Sequence, residues 1–241
     1  HVHVVEYLVE NGAEVNAVDT DGKTALCMVA KTGHVDIVKY LVENGAEVNA
    51  VDKKKVQEWM SGMMQPSLCT LAHSATHYTY RYGQAALRMA SLAGHVDIVK
   101  YLVENCAKVN AVDKSGQTAL RMAAKAGHVD IVKYLVENGA QVNAMDEYGQ
   151  GSLHMASLPG HVDIVQYLVE NGARVNVVDK WGQMPLSIAA KAGHVGILKH
   201  LVENGAEVNA VDGVIIDMYN IAYRLRVVIL LYSFQYSVYQ R

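Results

Sequence analysis

Along residues 113–145, DKSGQTALRMAAKAGHVDIVKYLVENGAQVNAM, apolar positions fall into two clusters separated by polar and turn-forming residues. Leu120, Ala123 and Ala124 lie at helical spacing in a run of good helix formers that stops at Gly127, which predicts a first helix. Val129, Ile131, Val132, Leu135 and Val136 make a second stripe of that period, with Asp130 in the first turn where negative charge favours the helix dipole. Asn138 and Gly139 end this second helix, because glycine accepts the left-handed conformation common at helix C-termini. Asp113, Ser115 and Gly116 are turn formers, so the whole segment predicts turn, helix, break, helix.

The pattern recurs. The phrase HVDIVKYLVENGAEVNAVD at 34–52 returns with small changes from His95, His128, His161 and His194, and in a more altered form from His1. Four of the five intervals are 33 residues, and the interval from His34 to His95 is 61, so one unit carries 28 extra residues. Periods in this range mark solenoids and propellers, whose units bury their apolar faces by stacking on one another. The boundaries expected are a partial unit at 1–18, units at 19–51, 52–112 (with an insertion at about 53–80), 113–145, 146–178 and 179–211, and a non-repeat tail at 212–241.

The D-x-x-G-x-T-x-L opening, the A-G-H break, the I-V-x-x-L-V helix and the G-A-x-V-N ending resemble the ankyrin repeat over about 18–52 and 82–212, with a half unit at 1–17. This resemblance implies an all-α ankyrin-repeat solenoid of stacked helix-turn-helix units with exposed β-turn tips, and a non-catalytic role in protein–protein interaction. The family segment T-P-L-H-x-A-A reads TALCMVA, AALRMAS, TALRMAA, GSLHMAS and MPLSIAA here, and only His154 keeps the family histidine. In ankyrins that histidine ties neighbouring loops, so Cys27, Arg88, Arg121 and Ser187 in its place lead to the expectation of a looser stack. Cys106 stands where other units have Gly45, Gly139, Gly172 and Gly205, which predicts a side chain forced into left-handed backbone. Gly196 replaces the first-turn aspartates Asp36, Asp97, Asp130 and Asp163, so the last unit is expected to fray first.

Partners of the family meet the turn tips and the inner face of helix one, which directs attention to the rows that vary there. Just before the turn glycines come Asp21, Tyr82, Ser115, Tyr148 and Trp181, and one position earlier Thr20, Arg81, Lys114, Glu147 and Lys180. Late in helix one come Lys31, Leu92, Lys125, Leu158 and Lys191. Tyrosine and tryptophan are enriched in binding hot spots, so the aromatic row predicts a contact surface. With Lys23, these rows hold Arg81 and six lysines against Asp21 and Glu147, a net +5 on a chain of net −3. The partner-binding residues expected are Arg81, Tyr82, Lys114, Lys125, Tyr148, Leu158, Lys180, Trp181 and Lys191, and the partner a protein with an acidic surface. Against this stands random drift of turn tips, with Asp19, Asp113, Asp146 and Asp179 offsetting the charge.

The insertion carries Val56, Trp59, Met60, Met63 and Met64 at amphipathic spacing, read as packing over adjacent repeats or as a docking surface. Cys69, His73 and His77 recur every fourth residue, but no fourth ligand accompanies them, and no metal or other cofactor is expected. The tail, with VVILLYSF, is too short between charges to span a bilayer and is read as a cap on the last repeat. No membrane contact follows, and the net charge gives no global pull toward nucleic acid. Three irregularly spaced cysteines favour a reducing compartment, cytoplasmic or nuclear, and the array is expected to act as a monomer.

No nucleophile motif or dinucleotide-binding glycine pattern is present, and AVDTDGKT at 17–24 approaches a phosphate loop with Ala17 where its first glycine belongs, so no enzyme is expected. The resemblance also implies a substrate role. In animals an asparagine hydroxylase modifies ankyrin repeats at a leucine followed six residues later by an acidic residue, an apolar one and Asn, which marks Asn16, Asn49 and Asn209. The opening HVHVVEYL lies mid-unit, without an initiator methionine or a signal segment, and so reads as a fragment. An incomplete or decaying repeat-gene product with no specific partner is the remaining alternative.

Overall fold

The computed structural model describes residues 2–19, 23–50 and 85–208. Arg81, Tyr82, Asn209, the insertion with its Cys69, His73 and His77, and the tail lie outside the described residues. Eleven helices are found among the described residues, with two isolated bridges, Val18 to Thr24 and Met145 to Gly151, in place of strands.

In chain order the helices are α1 (Val2–Glu10), α2 (Ala25–Thr32), α3 (Val35–Glu43), α4 (Ala85–Ala93), α5 (Val96–Glu104), α6 (Ala119–Ala126), α7 (Val129–Glu137), α8 (Ser152–Ser157), α9 (Val162–Glu170), α10 (Pro185–Ala192) and α11 (Val195–Glu203). The even-numbered helices up to α10 pack in sequence on one another, and the odd-numbered helices form a second layer behind them. Helix α2 packs directly on α4 and α3 on α5, so the units on either side of the insertion are neighbours.

The core runs between the two layers. Each of the five units after the partial first one contributes one leucine from its first helix (Leu26, Leu87, Leu120, Leu153, Leu186) and an Ile-Val-x-x-Leu set, or Ile-Leu-x-x-Leu in α11, from its second, all buried. Every such branched side chain removed from water stabilises the stack by roughly 1.5–3 kcal/mol. Ala90, Ala123, Ala156 and Ala189 are fully buried on the first-helix layer, where a small side chain lets neighbouring helices approach. Ser91 and Ser157 reach the same depth because each hydroxyl donates to the carbonyl one turn back, at Leu87 and Leu153 (both 2.7 Å).

Helix ends follow the sequence. Thr24 and Thr118 accept from the backbone N–H three residues on and start α2 and α6, and Gly33 and Gly127 close them in left-handed conformation. Asp36, Asp97, Asp130 and Asp163 occupy the first turns of their helices, and α11 has no acidic residue there. Cys106 adopts φ +65°, the one non-glycine residue with positive φ among those described. Cys106→Gly should therefore relieve about 1 kcal/mol of strain and raise the melting temperature by a few degrees. A thermal melt showing an unchanged or lower midpoint would contradict that reading.

Candidate functional site

The described turn tips are each built around one aspartate, Asp19, Asp113, Asp146 or Asp179. In Asp146, Oδ1 accepts the backbone N–H of Tyr148 and Gln150 (both 2.9 Å), which folds the tip. Its Oδ2 faces the preceding unit and accepts Arg121 Nη2 at 2.8 Å, with Gln117 Nε2 at 3.4 Å. Asp113 holds its own turn in the same way and pairs through Oδ2 with Arg88 Nη1. Asp179 holds Trp181 and Gln183 N–H through Oδ1 and takes Gln150 Nε2 on Oδ2 (2.9 Å each).

The expected looser stack is thus corrected at two positions. Arg88 and Arg121 are long enough to reach the aspartate 25 residues ahead, so an ion pair stands where the family histidine was missing. The Arg121–Asp146 pair is almost fully enclosed, with side-chain exposures of 1% and 2%. Burial lowers the Arg121 pKa while Asp146 opposes that shift, and the guanidinium stays charged. Arg121 Nε and Nη1 find no partner, so part of the cost of enclosing the charge is left standing. Ser187 turns back on its own helix instead, donating to the carbonyl of Met184 at 2.9 Å.

His154 is buried, and its Nδ1 accepts the Gly151 N–H at 3.3 Å. Its Nε2 has no hydrogen bond of ordinary length, although the backbone of Gln183 and Val177 lies close. Burial holds its pKa below the ordinary histidine value, against the pull of nearby Asp179. The unfolded chain then takes up the proton first as pH falls. The stability that the neutral ring supplies is present above about pH 6.5 and is lost as pH drops through and below that value. Urea unfolding of the chain and of His154→Gln at pH 7.5 and 5.5 should show the smaller acid-side loss in the variant, and equal losses would remove His154 as the cause.

Two further devices join units, and neither was legible as a tie. His95, His128, His161 and His194 place Nε2 within 3.0–3.3 Å of the carbonyls of Lys31, Leu92, Lys125 and Leu158 in the preceding unit. Among the described residues the asparagine of each ending, Asn16, Asn49, Asn110, Asn143 and Asn176, spans forward with both ends of its amide. Asn143, for example, donates to the Gly172 carbonyl at 2.9 Å and accepts the Arg174 N–H at 2.9 Å. Asn16 and Asn49 do the same toward Gly45 with Glu47 and toward Cys106 with Lys108, so an enzyme acting on them must first release two inter-unit bonds.

On this frame Tyr148, Lys180 and Trp181 come together, Leu158 and Lys191 line a hollow in the same two units, and Lys114 and Lys125 are not brought to either. The Lys180 N–H donates to the Tyr148 carbonyl at 2.9 Å, which sets adjacent tips in register. The Tyr148 and Trp181 rings stack at 5.4 Å between centroids with 22° between planes, and Lys180 Nζ lies 5.9 Å from the Tyr148 centroid. Tyr148 remains 42% exposed and Trp181 56%. Along the helix-one layer an open hollow of about 350 Å³ lies between α8 and α10, floored by Met155, Leu158 and Ile188 and edged by Gln150, Gln183 and Lys191. Lys114 and Lys125 sit on the unit before, Lys125 in the last turn of α6. Of the aspartates that could offset this positive face, Asp113 and Asp146 are each engaged by an arginine, and Asp179 takes the neutral Gln150 amide on Oδ2.

The helix-two face holds a regularity of its own. Lys39, Lys100 and Lys133 each place Nζ about 6 Å from the ring centre of a tyrosine in the next unit, Tyr101, Tyr134 and Tyr167. No group of three or more His, Cys, Asp or Glu that could hold a metal ion is present among the described residues, and none of their helices is long and apolar enough to cross a membrane. A family model described as ankyrin repeats, in three copies, matches residues 1–53, 60–146 and 142–212. No curated protein matches the chain.

Proposed function

Since this chain belongs to the ankyrin-repeat family, whose repeats are generally protein–protein interaction modules and typically non-enzymatic, we propose that it is an adaptor or scaffold that takes a protein partner along its turn tips and helix-one face. The observation that carries this reading is the exposed Tyr148–Trp181 stack, fixed by the tip-to-tip hydrogen bond and two residues along the chain from Gln150 and Gln183, which line the hollow between α8 and α10. Aromatic side chains held rigid before binding lose little entropy on contact, which is why they dominate interface energetics. Lys114, Lys125, Lys180 and Lys191 give the same face a positive character and favour an acidic partner surface. The partner meets a monomer of this chain in a reducing compartment, in keeping with three cysteines too irregularly spaced for a disulfide framework.

The test is affinity capture from native cells with the intact chain and with a Tyr148→Ala, Trp181→Ala variant, followed by titration of each captured protein. Loss of two hot-spot rings should weaken a specific partner at least tenfold without changing the fold, since both rings are solvent-facing. Equal affinity for the variant would overturn the site, and the absence of any specific partner would favour a repeat fragment without one.

A further inference from the structure

The helix-one row that faces the groove alternates in chemistry from unit to unit: Lys31, Leu92, Lys125, Leu158, Lys191. Leu92 and Leu158 are exposed, Leu158 to 61%, so the row presents apolar positions between cationic ones rather than a uniform charge. Its spacing is fixed from behind. The carbonyls of Lys31, Leu92, Lys125 and Leu158 are the four that accept the inter-unit histidine bonds, and Leu158 and Lys191 also border the hollow between α8 and α10.

Helices packed in a layer stand about 8–10 Å apart, so consecutive positions of the row recur at that distance. A chain in polyproline II conformation advances about 3.1 Å per residue with three residues per turn, returning a side chain to one face every ~9.3 Å. A β-strand returns to one face every two residues, about 6.8 Å, and falls out of step with the row at once. From this match we infer that Lys125, Leu158 and Lys191 read an extended peptide segment of the partner in which an apolar side chain is flanked, three residues away on each side, by an acidic one. The acidic groups meet the two ammonium groups and the apolar side chain enters the hollow over Leu158, Met155 and Ile188. A single-stranded nucleic acid would satisfy the lysines but would leave Leu158 against a charged backbone. This inference rests on the groove assigned above and adds its register.

Fluorescence anisotropy with labelled peptides on the intact chain tests it. EPPLPPE, of period three, should bind at least tenfold more tightly than EPLPE, of period two, and than KPPLPPK. Lys125→Glu with Lys191→Glu should reverse the charge preference so that KPPLPPK binds best; both positions are exposed, and circular dichroism confirms that the fold survives. Equal binding of EPLPE would overturn the register while leaving the groove standing. Failure of every peptide, while the Tyr148 and Trp181 variant still loses its partner, would also overturn the register alone. Peptide binding insensitive to both lysine changes would overturn register and groove together, and tighter lysine-dependent binding of oligothymidylate than of EPPLPPE would replace a peptide with nucleic acid.

Discussion

Asp146→Asn is expected to destabilise the centre of the array by about 3–5 kcal/mol, the usual consequence of leaving one member of an enclosed ion pair uncompensated. The substitution is chosen for what it keeps. Asparagine retains an oxygen to accept the Tyr148 and Gln150 N–H groups, so the tip can still fold, while the atom facing Arg121 becomes a neutral NH₂. Arg121, with Nε and Nη1 already without partners, would then hold a buried charge with no counter-charge in direct contact. Arg121→Met in the same background removes the stranded charge and should recover most of the loss, because an apolar side chain of similar volume suits an enclosed site. Urea unfolding reads the total, and amide hydrogen exchange locates it, with α6 and α8 opening first. A loss below about 1 kcal/mol, or no recovery in the double variant, would mean that the pair adds nothing to the stacking already supplied by Leu120 and Leu153.

The local architecture was legible because each unit repeats its own punctuation. Helix α6 ends at the glycine that was read as its stop, and Cys106 takes the left-handed backbone that its glycine counterparts predicted. What was missed lies between units. Compared with the family at its own position alone, Arg121 is a lost histidine, whereas its meaning depends on the aspartate 25 residues ahead. That separation recurs at Arg88 with Asp113 and at His154 with Asp179, so the signal was in the sequence as a fixed offset between rows. The inter-unit histidines read as scaffold from their recurrence, but their partners are backbone carbonyls, which no residue type announces. Of the expected contact residues, Tyr148, Lys180 and Trp181 form one cluster with Leu158 and Lys191 bordering the hollow beside it. That Tyr148 and Trp181 would stack on each other could not be read from their row alone, since it requires the Lys180 to Tyr148 backbone bond that sets the distance between tips.

Gly127→Ala should cost about 2–5 kcal/mol, from two separable sources. The residue sits at φ +85°, where an L side chain is strained by about 1–2 kcal/mol. A Cβ there would also lie 2.6 Å from Cε1 of His161, and forcing the ring aside adds about 1–3 kcal/mol and breaks its bond to the Lys125 carbonyl. His161→Ala clears that space, so in its background Gly127→Ala should cost only the backbone strain, and the difference between backgrounds measures the lock directly. An equal cost in both would show that the ring does not press on the glycine. The same contact occurs at Gly33 with His95, Gly94 with His128 and Gly160 with His194, whereas nothing lies within 4 Å of a Cβ at Gly45, Gly139 or Gly172. The contrast explains where the repeats differ. At the open position a side chain costs only backbone strain, and Cys106 occupies one such position, while at the enclosed position from Gly33 to Gly160 the histidine adds a steric cost that Gly193, with nothing within 4 Å of a Cβ, does not carry.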